Sequence, residues 1–289
     1  MSAQLMPGAP VADAVLEDVA IRVEKLKTEG GRVGLATLLV GDDGPSASYI
    51  RMKQAKAAEL GIESLHAHLP DDASQSEVED VIGGFNADPG VSAMLFQHPA
   101  PSQIDYDAAL ALVAPDKDAD GLQPFNLGRL ALSMPGPVPC TPAGIEALLA
   151  YYEIPVSGRH VVIMGRGMTL GRPLALLLSQ KRPTANAAVT VLHSGVPDWA
   201  DITRSADILI SAAGVPGIIQ PEHVRPGAVV VGAGVRYQGR KLLADVDESV
   251  AEVASWITPR VGGVGPTTVA MLMRNTIEAA ERALQRQRG

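Results

Sequence analysis

Apolar positions along the chain follow two alternating periods. Residues 33–41 form a continuous apolar run bounded by turns, which is typical of a strand buried on both faces, whereas residues 11–28 repeat apolar positions at helical spacing. Further strands are predicted at 62–69 and 91–97, and further helices around Tyr49, after Ser74 and at 106–114. Because strands alternate with helices, we expect this part of the chain to form a parallel α/β sheet.

The alternation restarts after an irregular segment, residues 115–140, which is rich in Pro, Gly and Asp and is predicted to connect two domains. Two helix starts are predicted from capping residues, namely Ser76 with Glu79 as a capping box, and Thr141 as the N-cap of a helix at 141–152. The other strands are predicted at 159–164, 188–193, 207–211, 228–232 and 242–246, and the other helices at 170–181 and 266–287. We therefore expect two α/β domains flanking a cleft, residues 1–140 plus 266–289 and residues 141–265.

Composition narrows the class of protein. With 289 residues, of which 46% are hydrophobic and 19% charged, the chain has the makeup of a globular protein. The net charge of −8 argues against nucleic acid or an anionic membrane as a partner. The first residues lack the pattern of a signal peptide, no apolar stretch is long enough to span a bilayer, and the single cysteine, Cys140, permits no intrachain disulfide and no cysteine-cluster metal site. These features predict a cytoplasmic protein without a bound metal.

Three glycines, Gly165, Gly167 and Gly171, lie directly between a predicted strand and a predicted helix. In a dinucleotide-binding unit, such glycines allow a tight turn, close approach of backbone to a pyrophosphate, and close packing of helix on strand. The free N–H groups at the helix start then bind the phosphates. The spacing is one residue longer than the usual fingerprint, and a plain strand-to-helix turn is the alternative. The surrounding strand–turn–helix–strand order favours a Rossmann domain.

The end of the next strand indicates which dinucleotide binds. A NAD-binding domain usually carries an acidic residue there, whereas this strand ends at His193 and Ser194. Arg166 lies inside the glycine turn, where its guanidinium is available to a 2′-phosphate. NADP is therefore predicted over NAD. For His193, a surface position at the strand end without a ligand is an equally good interpretation.

Polar residues follow the predicted strands of the first half. Tyr49 and Lys53 are four residues apart and share one face of a helix, which either looks into a site or is solvated. Gln97 ends a strand, where it either meets a ligand or caps a turn. Asp116, Asp118, Asp120 and Gly121 imitate the start of a calcium-binding loop, but the twelfth position is Leu127 and not Glu, which excludes that loop. A turn capped by aspartate side chains is the alternative.

Together these stretches resemble the bifunctional methylenetetrahydrofolate dehydrogenase/methenyltetrahydrofolate cyclohydrolase family over nearly the whole chain. The family motif S-x-x-Y-V-x-x-K is matched by Ser46 through Lys53, and Q-L-P-L-P corresponds to Gln97 through Pro101. The aspartate-rich motif is matched from Pro115 through Gly128, P-C-T-P by Pro139 through Pro142, and the glycine-turn motif by Gly165 through Pro173. The last motif, P-G-G-V-G-P-M-T, corresponds to residues 261–268.

The resemblance implies a function. Such an enzyme oxidises 5,10-methylenetetrahydrofolate with NADP and hydrolyses the 5,10-methenyl product to 10-formyltetrahydrofolate, in one-carbon metabolism. Lys53 would transfer protons, Gln97 would orient it, Tyr49 would line the site against the pterin, and Asp120 would accept the pterin's N–H groups. Further contacts implied for folate are Gly262, Gly263 and Pro266. The contacts implied for the cofactor are Gly165, Arg166, Gly167, Gly171, Ser194, Gly214, Val235 and Thr268. A homodimer joined through the Rossmann domains is also implied.

The chain departs from the family pattern at several places in these motifs. Gly167 replaces a serine, Gly232 an aspartate and His98 an apolar residue, and Arg260-Val261 displaces a proline. Two alternative functions remain at this point. One is a shikimate-dehydrogenase-like NADP oxidoreductase, and the other is a degenerate relative that binds folate or NADP without turnover.

Overall fold

The computed structural model describes residues 2–238 and 241–288. The strands are β1 Gln4–Leu5, β2 Gly34–Val40, β3 Glu63–Leu69, β4 Ala93–Phe96, β5 His160–Met164, β6 Ala188–Leu192, β7 Ile208–Ser211, β8 Val229–Gly232, β9 Val235–Gln238, β10 Lys241–Ala244 and β11 Trp256–Ile257. The α-helices are α1 Ala9–Thr28, α2 Gly44–Glu59, α3 Gln75–Ala87, α4 Tyr106–Leu112, α5 Pro124–Ala131, α6 Cys140–Tyr151, α7 Gly171–Leu178, α8 Trp199–Thr203 and α9 Val264–Arg288. Short 3-10 helices occur at Pro115–Lys117, Pro221–His223 and Glu248–Glu252.

The chain divides into two compact units. The three-stranded unit comprises Ala14–Val138 and Val269–Gly289, and the six-stranded unit comprises Met1–Asp13 and Pro139–Thr268. Both are α/β units, which confirms the predicted fold class. None of the helices within residues 2–238 and 241–288 is both long and apolar enough to cross a bilayer.

The three-stranded unit is built on β2, which lies between β3 and β4 and runs parallel to both. Every residue of β2 is buried, as its continuous apolar run predicts, whereas β3 alternates between exposed and half-buried positions as expected for an edge strand. The capping box of α3 differs from the prediction, because Ser74 and Glu77 form it instead of Ser76 and Glu79. Ser74 is the residue with extended backbone, and only such a residue leaves its side chain free to accept from the N–H three positions on.

Residues 115–140, predicted to be irregular, contain the helix α5. Pro124 occupies its first turn, where the missing N–H costs no hydrogen bond, and the side chain of Gln123 accepts from the N–H of Phe125 at 2.6 Å. The helix has only eight residues, and its surroundings of Pro, Gly and Asp hide its period. The prediction was wrong here because a short helix held by its cap gives a weak periodic signal.

The six-stranded unit contains a parallel sheet in the order β1-β11-β8-β7-β5-β6. Apolar side chains of β5, β7 and β8, among them Val162, Leu209 and Val230, form its core. Strands β9 and β10 form a separate antiparallel ribbon, of which only the second strand was predicted. Helix α6 begins at Cys140 with Pro139 at the N-cap position, so Thr141 is not the N-cap residue. Thr141 lies in the first turn instead, where its hydroxyl accepts a hydrogen bond from Thr268 at 3.2 Å.

The amino terminus belongs to the six-stranded unit, whereas the sequence places it in the domain of residues 1–140. The reason is a pair of contacts with distant segments of the chain. Gln4 and Leu5 pair with Trp256 and Ile257, and the N–H of Gly8 donates to the carbonyl oxygen of Gly262 at 2.8 Å. A two-residue strand carries no periodic signal, so only its partner defines it.

Candidate active site

Helix α2 presents Tyr49 and Lys53 on one face. The carboxylate of Asp43 caps the helix by accepting from the N–H of Ser46 at 2.9 Å, which fixes where the first turn begins. Lys53 is 6% exposed, and its ammonium lies 4.6 Å from the centre of the Tyr49 ring. An ammonium over an aromatic face is stabilised by the negative charge of the ring's π system. The face is therefore largely buried and not a solvated helix surface.

Gln97 connects this face to the end of strand β4. Its backbone N–H donates to Leu38 on β2 at 2.9 Å, and its side-chain Oε1 accepts from Nζ of Lys53 at 3.0 Å. Its Nε2 donates to the carbonyl oxygen of His98 at 2.7 Å. Because these two contacts need opposite ends of the amide, they fix its orientation with the oxygen toward the lysine.

The aspartate-rich loop lies next to the same strand. The N–H of Ala119 donates to Met94 on β4 at 3.0 Å, and Asp118 is buried beneath the loop. The Asp118 carboxylate accepts from the backbone N–H groups of Gly121, Leu122 and Gln123 and from the side chain of Asn126. Burial raises the pKa of Asp118, while these donors favour its charged form and act in the opposite direction. The interpretation as an aspartate-capped turn therefore holds for Asp118, and Asp120, two positions later, is half-buried.

The side chain of Tyr106 lies between the end of β4 and the carboxylate of Asp120 in the network of contacts of this unit. The Tyr106 hydroxyl donates to the carbonyl oxygen of Phe96 at 3.0 Å, and the His98 ring packs edge-on against Tyr106 with centroids 5.0 Å apart. Burial raises the pKa of Tyr106, and the nearby carboxylate of Asp120 raises it further. Tyr106 is therefore a neutral phenol at physiological pH, close to both His98 and Asp120.

The three-stranded unit thus holds the four residues predicted to be catalytic. Lys53 contacts both Gln97 and Tyr49, and Asp120 lies on the loop that borders the strand preceding Gln97. A largely buried ammonium with an amide acceptor and a carboxylate in the same unit is suited to proton transfer and to binding a heterocycle with N–H donors. Within the described part of the chain, no three His, Cys, Asp or Glu side chains are grouped as metal ligands.

The glycine-rich turn lies in the six-stranded unit, between β5 and α7. Gly165 has φ of 125°, and a β-carbon there would lie 2.2 Å from the carbonyl oxygen of Ala212. A β-carbon on Gly171 would lie 2.0 Å from the carbonyl oxygen of Gly165, whereas one on Gly167 would meet no atom of the described residues within 4 Å, apart from its neighbours in the chain. The first and third glycines are therefore required by packing, and the second borders open space. This arrangement fits a turn that a phosphate group approaches.

Arg166 and Ser194 follow neighbouring strands. Strands β5 and β6 pair along their length, and the N–H of Gly165 donates to Leu192 at 2.8 Å, so both residues lie at the same edge of the sheet. Both side chains are exposed. His193 is partly buried, and its Nδ1 accepts from the N–H of Gly195 at 3.1 Å, which supports its interpretation as a turn residue at the strand end.

The other predicted ligand contacts lie in the six-stranded unit as well. Gly214 follows β7 with φ of 67°, and Val235 begins β9 with an exposed side chain. The predicted folate contacts Gly262, Gly263 and Pro266 precede or begin α9, in a different unit from Lys53. Their role with folate, like that of Thr268 with the cofactor, stays a prediction.

Asp118 was expected only as one of the aspartates of a capped turn, and two other residues of these sites, Tyr106 and Asp245, were not predicted. Asp118 organises the loop that holds Asp120, and Tyr106 packs under His98. Asp245, in the six-stranded unit, accepts hydrogen bonds from Ala213 and Gly214. The spacing of aspartates in the loop gave a signal for Asp118, but no local pattern distinguishes Asp245 from a surface aspartate.

Both units match the family models of known proteins. The model of the tetrahydrofolate dehydrogenase/cyclohydrolase catalytic domain matches residues 6–120, and the model of the NAD(P)-binding domain of the same family matches residues 139–284. The chain is 60% identical over 280 residues to a bifunctional protein FolD 1 of Salinispora tropica, covering 97% of this chain and 92% of that protein.

Solved structures agree with these matches. The bifunctional FolD enzyme of Campylobacter jejuni is 37% identical with a TM-score of 0.93, covering 98% of this chain and 100% of that one. The Trypanosoma brucei methylenetetrahydrofolate dehydrogenase-cyclohydrolase, solved with NADP and an inhibitor, is 36% identical with a TM-score of 0.92, covering 98% of this chain and 99% of that one. Both family models and these full-length likenesses show that the chain belongs to the tetrahydrofolate dehydrogenase/cyclohydrolase family.

Proposed function

We propose that this protein oxidises 5,10-methylenetetrahydrofolate with NADP and hydrolyses the resulting 5,10-methenyltetrahydrofolate to 10-formyltetrahydrofolate. The observation that carries the proposal is the contact between Lys53 and Gln97, 3.0 Å apart, with the Lys53 ammonium over the ring of Tyr49. These are the residue types and the order in the chain that the family resemblance assigns to the folate chemistry. The proposed domain roles follow, with the folate chemistry in the three-stranded unit and the cofactor in the six-stranded unit.

The protein's task in the hydrolysis is proton transfer, because the substrate is already an electrophile. The methenyl carbon is cationic and already open to attack by water, so the protein must take a proton from that water and deliver one to the ring nitrogen that leaves. Lys53 is the group proposed to move these protons. Its side chain is held by the Gln97 oxygen and the Tyr49 ring, so the ammonium is positioned before substrate binds.

Asp120 is proposed to recognise the pterin. The amino group and ring N–H of a pterin are hydrogen-bond donors, and a carboxylate accepts two of them at once. The buried hydrogen bonds of Asp118 hold the loop in shape, which lets Asp120 serve the ligand and not the loop. Tyr49 and His98 would give the pterin aromatic faces to pack against.

NADP is proposed to bind at the glycine-rich turn. The turn fits the group, since Gly167 borders open space among the described residues and the side chain of Leu170, at the N-cap of α7, offers no acceptor to the first N–H groups of the helix. Arg166 and Ser194 would contact the 2′-phosphate, and the trypanosomal relative binds NADP. When bound, NADP takes up the hydride from the methylene carbon. The protein's part in that step is to hold the two ligands in position and to keep water away.

One assay tests the proposal against its two alternatives. The purified protein is given methylenetetrahydrofolate with NADP, with NAD, and shikimate with NADP, and reduced cofactor and methenyl absorbance are recorded. Turnover of the folate with a preference for NADP is expected. Turnover of shikimate alone would favour the shikimate-dehydrogenase-like alternative. Tight binding of folate and NADP without any turnover would favour the degenerate relative.

We also propose a homodimer joined through the six-stranded units. The antiparallel ribbon of β9 and β10 belongs to this unit, and Val235 on it is 47% exposed. A short ribbon with an apolar exposed residue is a typical place for strand pairing between subunits. Sedimentation at micromolar concentration should give twice the chain mass of 30.1 kDa. A monomer of 30.1 kDa as the sole species would overturn the proposal.

A cytoplasmic location is proposed from the state of the cysteine. The single cysteine, Cys140, is buried at the start of α6, as suits a compartment where disulfides do not form. Fractionation of the cells that make the protein tests it, and recovery in the membrane or secreted fraction would overturn it.

A further inference from the structure

A buried carboxylate lies at the edge of the sheet in the six-stranded unit. Asp245 follows β10 and is 1% exposed. Its Oδ2 accepts three hydrogen bonds, from the hydroxyl of Ser211 at 2.9 Å and from the backbone N–H groups of Ala213 at 2.8 Å and Gly214 at 3.1 Å. Ser211 ends strand β7, so these donors form the turn at the carboxyl end of a parallel strand, where ligands bind in sheets of this type.

The backbone closes tightly around this carboxylate. The N–H groups of Ala233 and Gly234 both donate to the carbonyl oxygen of Ser211 at 2.8 Å, and the N–H of Asp245 donates to Gly234 at 3.0 Å. A β-carbon on Gly234 would lie 1.9 Å from Oδ2 of Asp245. The other oxygen, Oδ1, is buried and accepts no hydrogen bond from any described residue. Among the hydrogen bonds of the described residues, those of the Asp245 carboxylate are therefore made through Oδ2, and this oxygen leaves no room for a side chain at residue 234.

The turn that Asp245 holds also supports the glycine-rich turn. Ala212 lies between Ser211 and Ala213, and its N–H donates to Met164, the last residue of β5, at 2.7 Å. Gly165 packs so closely on Ala212 that a β-carbon would lie 2.2 Å from its carbonyl oxygen. A shift of the turn at residues 212–214 would therefore be transmitted to the first glycine of the proposed phosphate-binding turn.

We propose that Asp245 is a positioning residue for NADP, which holds the Ala213–Gly214 turn and, through Ala212, the glycine turn at Gly165. The inference rests on the proposed NADP function and assigns a role to a residue outside the glycine-rich motif. A carboxylate suits this task because one oxygen accepts from three donors at once, and charge-assisted hydrogen bonds are stronger than neutral ones. Removing the carboxyl group takes this acceptor from the buried hydroxyl of Ser211 and from the N–H groups of Ala213 and Gly214.

The first test compares Asp245→Asn with Asp245→Ala. Asparagine keeps an oxygen that accepts from the same three donors, whereas alanine removes it. We expect the Ala variant to raise the KM for NADP on the order of 10-fold to 10²-fold, as for a misplaced binding group, and the Asn variant to raise it less. The ratio of NADP-dependent oxidation to hydrolysis of methenyltetrahydrofolate should fall, because hydrolysis uses no NADP. Asp247→Asn is the control, since Asp247 caps a 3-10 helix through Ser249 and should leave the KM for NADP unchanged.

A second test approaches the same carboxylate from the other side. Gly234→Ala places a methyl group against Oδ2 of Asp245 and should raise the KM for NADP in the same way. In Gly234→Ala combined with Asp245→Ala the methyl group enters the space that the carboxyl group leaves. The double variant should therefore be no worse than Asp245→Ala alone, which is a non-additive result.

The outcomes separate the inference from the proposed function. An unchanged KM for NADP in a folded Asp245→Ala variant, or equal loss of oxidation and hydrolysis in all variants, would overturn the positioning role. If the parent protein fails to oxidise methylenetetrahydrofolate, the proposed function fails. Calorimetric titration of NADP into parent and variants then still decides whether Asp245 supports NADP binding.

Discussion

The side-chain ammonium of Lys53 lies 3.0 Å from Oε1 of Gln97, whose Nε2 donates to the carbonyl oxygen of His98. The amide is therefore fixed from both ends, and the lysine is held by a neutral acceptor at the end of β4. A hydrogen bond to this acceptor orients the ammonium at the end of the strand. This relationship makes Lys53 the residue whose removal should separate the two proposed reactions.

Lys53→Met keeps the length and the apolar stem of the side chain while it removes the ammonium. We expect cyclohydrolase activity to fall on the order of 10² to 10⁴, because the proton-transfer group is lost, while part of the dehydrogenase activity remains. Methenyltetrahydrofolate should then accumulate and be seen by its absorbance. Lys56→Met is the matched control, because Lys56 lies on the same helix and pairs with Glu59. Hydrolysis by Lys53→Met at the parent rate would show that another group moves the protons.

The substitution Arg166→Ala should weaken the binding of NADP more than the binding of NAD. The guanidinium is exposed next to the glycine turn, and only NADP carries the 2′-phosphate that it would contact. The measurement is the KM for each cofactor in the dehydrogenase assay. Arg172→Ala, at an exposed position in the first turn of α7, serves as control and should not change the preference between the cofactors. Equal losses for both cofactors in Arg166→Ala would mean that the side chain only supports the turn.

Gly171→Ala should destabilise the six-stranded unit. The added methyl group would lie 2.0 Å from the carbonyl oxygen of Gly165, and backbone atoms cannot move aside easily. We expect a loss of about 1–3 kcal/mol in the free energy of unfolding, measured with urea. Gly167→Ala is the control, since its methyl group meets no atom within 4 Å in the described part of the chain beyond its sequence neighbours. It should change stability by less than about 0.5 kcal/mol. Similar stability of the two variants would contradict the close packing.

Acid should destabilise the six-stranded unit partly through Asp207. Its carboxylate accepts from the backbone N–H of His160 at 2.9 Å, and this contact together with Arg225 lowers the pKa of Asp207. A lowered pKa in the folded state means that the contribution is complete above the ordinary carboxyl pKa and is lost as the pH falls through the folded value. The melting temperature of Asp207→Asn should therefore be lower than that of the parent at neutral pH and approach it in acid. Glu252→Gln, at an exposed position, is the control for the loss of one negative charge. A constant difference for Asp207→Asn at every pH would refute the assignment.

The apolar periods predicted most of the fold because they depend on local burial. Strand β2 is buried along its whole length and was visible as a single apolar run. The two-residue strands β1 and β11 were not visible, because each is defined only by a partner far along the chain. Helix α5 was not predicted for a related reason. It has only eight residues and is held by its cap, so it carries no long apolar stripe.

The sequence predicted those site residues that lie on one face of a helix or at the end of a strand. Helical spacing placed Tyr49 beside Lys53, and the end of a strand placed Gln97 near the same region. The aspartate spacing did not distinguish Asp118, which holds the loop, from Asp120, because the difference lies in which carboxylate the backbone folds around. Asp245 was missed because its donors come from a turn more than thirty positions earlier.

The pairing of Gln4 and Leu5 with Trp256 and Ile257 has a consequence for synthesis on the ribosome. The six-stranded sheet cannot acquire its edge strand until the chain has been made past residue 257. The three-stranded unit also includes residues beyond Val269, so its last helix emerges later still. Neither unit is complete while the nascent chain is short, and a premature stop before residue 257 would deprive both units of part of their structure. Chains released early should therefore be cleared by proteases instead of persisting as one folded half.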